Sequence, residues 1–100
     1  MIYRQGDVLI EQIETLPAGL KKSKEKRIIL AYGEVTGHCH EADVESCKSF
    51  VDAEGGLYLE VEVDTEVKHQ EHDTITLPAG VYRIVHQREY SPEEIRRVAD

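Results

Sequence analysis

The side chains of this chain best suited to chemistry are its five histidines, His38, His40, His69, His72 and His86. Neutral imidazole is the commonest protein ligand for zinc, iron, nickel and copper. Two of the five sit two residues apart in Gly33-Glu34-Val35-Thr36-Gly37-His38-Cys39-His40-Glu41. In an extended segment successive side chains point to opposite faces, so His38 and His40 project together and Cys39 points away. One ion can then meet both rings without distorting the backbone; the simpler alternative is a polar strand face with one ring hydrogen-bonded. Glu45, five residues beyond His40, is a candidate oxygen ligand that by itself reads as a surface carboxylate. His69 and His72 stand at i and i+3, a spacing that converges on a turn and diverges on a flat strand. One of them is a candidate third ligand. His86 shares a strand face with Tyr82 and Ile84, where a histidine is either a ligand or a hydrogen-bonded core residue. The two cysteines, Cys39 and Cys47, match neither a CxxC zinc pair nor a disulfide framework, and read as buried thiols.

The elements that must position these residues read as short strands. Asp7 to Ile13 is a first strand, stopped by Thr15-Leu16-Pro17-Ala18-Gly19, where proline fixes φ and glycine is free to take positive values. The following stretch carries Lys21, Lys22, Lys24, Lys26 and Arg27; it reads as a solvated loop or as a lip that meets an anion or a partner. Arg27 to Tyr32 is a short buried strand, and Val44 to Val51 a less regular one. Asp52 to Gly56 is a hairpin turn by composition. Leu57 to Val63 alternates most clearly, with Leu57, Leu59, Val61 and Val63 facing in. Glu66 to His72 is extended or looped, Leu77-Pro78-Ala79-Gly80 repeats the first corner, and Val81 to Tyr90 forms the last strand. Ser91-Pro92-Glu93-Glu94 has the marks of a helix start, with serine as N-cap and proline at the first position.

One hundred residues form one domain, large enough to fold without a metal or a disulfide, so a bound metal would serve function. The expected architecture is all-β: a small barrel or sandwich of seven or eight short strands over residues 1–90, with a C-terminal helix at 91–100 packed on it or on a neighbouring subunit. Closing the barrel would remove exposed sheet edges. Twenty acidic against 12 basic residues give a net charge of −8, which repels phosphate backbones and anionic bilayers. With no long apolar run, the expectation is a soluble cytoplasmic protein without membrane or nucleic acid partners.

His38-x-His40, then four residues, then Glu45, and much later Pro78-Ala79-Gly80, is similar to the two motifs of the cupin superfamily. That resemblance implies a small β-barrel binding a divalent metal, zinc or iron, through His38, His40, Glu45 and a later histidine. It departs from the family pattern in two places: Arg83 stands where the last histidine belongs, and no glycine follows Glu45 at the expected spacing. His69, His72 or His86 would have to replace that ligand. Asp7-Val8-Leu9-Ile10, a charged loop, Ile28-Ile29-Leu30 and Gly33-Glu34-Val35 also resemble, in order, the ten-kilodalton co-chaperonins, although the segment that should follow Leu30 is missing. The leading expectation is therefore a metal-binding barrel with a small-molecule substrate. The rival is a non-enzymatic, homo-oligomeric accessory module that meets its partner through Lys21, Lys22, Lys24, Lys26 and Arg27 and through the C-terminal helix.

Overall fold

A computed structural model describes residues 1–32 and 38–86. The expected C-terminal helix, and the residues from Gly33 to Gly37, lie outside them. Ten strands follow in chain order: β1 Ile2–Gln5, β2 Val8–Ile13, β3 Lys21–Lys22, β4 Ile28–Tyr32, β5 Cys39–Ala42, β6 Cys47–Val51, β7 Leu57–Val61, β8 Thr65–Lys68, β9 Ile75–Leu77 and β10 Gly80–His86. They form two antiparallel sheets, β1-β2-β10-β7-β6-β3 and β4-β5-β8-β9. The all-β expectation is met. Of the two alternatives, barrel or sandwich, the described strands form two separate sheets and no closed barrel: β1 and β3 end one sheet and β4 and β9 the other.

Period-two alternation places one core between the sheets. Val8 and Ile10, Leu59 and Val61, and Tyr82 and Ile84 enter it from the larger sheet; Ile28 and Leu30, with Ala42, Val67 and Leu77, enter from the smaller. Two expectations shift here. Val63 is 59% exposed because β7 ends at Val61, so the alternation does not carry through to it. The expected strand over Val44 to Val51 begins only at Cys47, because Asp43 to Ser46 is a turn in which the Asp43 carboxylate accepts from the Glu45 amide.

The end of the molecule that carries the histidines is built on two features. The first is the two-residue turn Gly6-Asp7, which joins β1 to β2 with Gln5 opposite Val8. Gly6 has a φ of 61°, and glycine at the first central position is the pattern of a type II′ hairpin turn. The second is the β5–β8 ladder, which pairs Glu41 with Lys68 and Ala42 with Val67. One further step in that register sets His40 opposite His69. Beyond it the ladder stops, and the Gln70 side-chain oxygen accepts the Cys39 amide at 2.9 Å. The chain then turns away through His69–Asp73 before β9 begins.

Candidate functional site

Four of the five imidazoles meet at that end. Ring centroids are 4.3 Å apart for His40 and His69, 4.6 Å for His69 and His72, and 5.9 Å for His40 and His72; His38 lies 5.7 Å from His69. His38 and His40 thus share a face, as their spacing requires. Cys39 faces the other way with Glu41, and the Arg27 guanidinium spans both, 3.8 Å from the Cys39 sulfur and doubly bonded to the Glu41 carboxylate. That ion pair is exposed and holds the Glu41 carboxyl below its usual range.

His40 is the fixed member of the group, and Gln5 fixes it. Both are 2% exposed. The Gln5 amide nitrogen donates to Val67 O and to Asp73 O, each at 2.9 Å, so its two protons are engaged and its oxygen must be the atom facing His40. That oxygen can only accept; His40 Nδ1, 2.8 Å away, therefore donates, and the neutral ring keeps its lone pair on Nε2. Burial, reinforced by His69, pushes the His40 pKa down to about 4. His40 Nε2 stands 4.0 Å from Asp7 Oδ1. This is the state a metal-binding histidine needs, with one ring nitrogen oriented by an acceptor and the other bare.

The other rings are held less firmly. His69 Nδ1 accepts the Glu71 amide at 3.0 Å, which puts the proton of the neutral ring on Nε2; burial, then His72 and His38, lower its pKa. His38 Nδ1 lies 3.5 Å from a Glu71 carboxylate oxygen. His72 Nε2 sits over the bare Cα of Gly6, where a methyl group would come within 2.7 Å of it. Any side chain at position 6 would push the ring away.

Two expected ligands are elsewhere. Glu45 is exposed in the turn beyond the far end of β5 from His38, so an unbroken strand does not bring it back to the rings. His86 is half-buried at the end of β10, outside the core, and its Nε2 bonds Leu30 O at 3.1 Å. Conversely, Gln5, Gly6, Asp7 and Glu71 belong to the site without having been singled out in the sequence. Of these only Gly6-Asp7 carried a readable signal, that of a two-residue hairpin turn between extended segments. Cys39 and Cys47 are free, buried thiols as expected, and burial raises that of Cys47 to about 11.

The rings meet face to face and edge to face. Among the described residues no group of three or more His, Cys, Asp or Glu side chains is already arranged to hold a metal ion. No helix among them is long and apolar enough to cross a membrane. A family model described as a domain of unknown function, DUF8820, matches residues 4–87, a span that takes in Gln5, the Gly6-Asp7 turn and all five histidines. Comparison with curated proteins and with solved structures returns no match.

Proposed function

This chain belongs to the DUF8820 family, and from its own side chains we propose that it binds a divalent metal ion, zinc or iron, through His40, His69 and His72. Asp7 supplies a carboxylate and His38 flanks the group. The observation that carries this reading is the pairing of a buried histidine, locked by Gln5 with a bare Nε2, with two further rings at ligand separation. Around a tetrahedral zinc, with metal–nitrogen bonds of about 2.0–2.1 Å, imidazole centroids stand roughly 5 Å apart. The distances of 4.3, 4.6 and 5.9 Å bracket that value. Nitrogen and oxygen ligands of one tetrahedral ion lie about 3.3 Å apart, so the 4.0 Å between His40 and Asp7 has to close only slightly. His69 must reorient, since its Nδ1 now accepts from Glu71. Three imidazoles and the Asp7 carboxylate fill a tetrahedral shell, so water or a small-molecule substrate would enter by displacing that carboxylate or as a fifth ligand, where the ion would polarise it.

Titration of untagged protein with cobalt(II) tests this. The expected result is one equivalent bound with tetrahedral visible bands, lost in His40→Ala and in His72→Ala and kept in His86→Ala. A spectrum that survives both losses removes the proposal.

One observation favours the rival reading of a homo-oligomeric accessory module. The described strands leave four sheet edges, and the edge strand β1 carries Ile2, 59% exposed. Such an edge accepts another chain by strand pairing.

A further inference from the structure

The two sheets differ in width, six strands against four, and the mismatch leaves a groove of about 960 Å³ where the smaller one ends at β4. Val51 on β6, Leu57 on β7 and Ile84 on β10 make its floor. They share the face that carries Ser49, Leu59 and Tyr82 into the interior, one alternation step nearer the strand ends. Leu30 and Tyr32 of β4 form one wall, with Tyr32 74% exposed. Val51 and Leu57 are therefore inward-facing positions that the described residues leave half-buried. β10 also ends here. His86, the last residue described, lines the groove, and its Nε2 bonds Leu30 O on β4 at 3.1 Å. The chain that follows His86 starts at the groove's margin, whereas the cleft beside Met1 and Gly80 lies a full strand length away, about 20 Å.

The sequence beyond His86 carries an apolar stripe of matching length. Ser91-Pro92 reads as a helix start, and Pro92, Ile95, Val98 and Ala99 recur at the spacing that shares one helix side. A helix from Pro92 to Asp100 rises about 13 Å, and crossing from β10 over β7 to β6 takes two strand spacings, roughly 10 Å. Residues 87–90 suffice for the turn back, since connections between elements commonly run about 2–6 residues. We infer that residues 91–100 dock as a helix in this groove of their own chain, with Ile95 and Val98 on Leu57 and Ile84. A helix this short is marginal by itself in water, so burial of its apolar side is what holds it. The same docking shields the open edge of β4 from pairing with another chain. The inference is independent of the metal reading.

The test is methyl NOE spectroscopy of the full chain in the presence of a chelator, repeated on a sample mixed from differently labelled protein to separate contacts within a chain from those between chains. The expected result is cross-peaks within one chain from the Ile95 and Val98 methyl groups to those of Leu57 and Ile84. Ile95→Asp/Val98→Asp removes them, shifts the Leu57 and Ile84 methyl signals, and raises binding of the apolar dye ANS about threefold or more. Arg97→Asp makes the same charge change on the opposite side of the helix and does none of these. Absence of the cross-peaks in the unaltered chain overturns the inference whatever the variants do, as does an equal dye response from both variants. Cross-peaks found only between chains also overturn it, and would assign the groove to the same segment of a neighbouring subunit.

Discussion

Gln5 joins four parts of the chain through one side chain: the end of β1, His40 on β5, Val67 on β8 and Asp73 in the loop before β9. Replacing it by leucine keeps the volume and removes every one of those bonds. A buried polar group left without a partner costs about 1–3 kcal/mol, so Gln5→Leu is expected to lose at least that in urea unfolding. It also releases the His40 tautomer, for which a 10–100-fold loss of metal affinity is the usual consequence. Unchanged stability would show that the bonds contribute little. His40 makes a second prediction, for the metal-free protein. Its pKa is lowered from 6.5 to about 4, so the unfolded chain takes up this proton first. Stability contributed by the neutral ring is complete above pH 6.5 and is lost as pH falls toward about 4, by up to about 3 kcal/mol. Urea midpoints across that window check the sign, and His40→Gln should flatten the slope. At this scale the sequence was half readable. The His-x-His pair follows from the two-residue period of a strand, whereas a glutamine that will be buried looks like one that will be solvated.

Among the elements, those with apolar alternation were legible: β2, β4, β7 and β10 are found close to where the pattern puts them. The strands that were missed exist through their partners. β1 holds Tyr3-Arg4-Gln5, whose alternation is poor, yet it pairs residue for residue with β2. β3 is two lysines with no hydrophobic period, placed by pairing with Phe50 and Val51. The approach of His69 to His40 was likewise out of reach, because it depends on the β5–β8 register, set by pairing between distant segments. The Gly6-Asp7 turn gives the prediction that belongs here. Gly6→Ala strains a left-handed φ of 61°, at about 1–2 kcal/mol, and drives a methyl group into His72. The expected outcome is modest destabilisation with a larger loss of cobalt binding than stability alone accounts for. Equal loss of both would reduce His72 to a surface ring.

Across the whole molecule, the barrel and the sandwich that the sequence leaves open differ in their edges, and the described strands form a pair of sheets. Closure is a property of which strands pair last, and no local pattern in β4 or β9 encodes it. Open edges make self-association the prediction at this scale. Sedimentation of untagged protein should give a species larger than the monomer that chelator leaves intact and that Ile2→Lys on β1 weakens, since a charge on an edge strand opposes pairing. A monomer at every concentration would leave the accessory-module reading without support. The proposed metal site requires that one cation draw His40, His69 and His72 together. X-ray absorption of zinc-loaded untagged protein measures this directly. The expected result is nitrogen or oxygen neighbours at about 2.0–2.1 Å, with outer-shell scattering from three imidazoles. A shell of oxygen alone, or of a single ring, would contradict it.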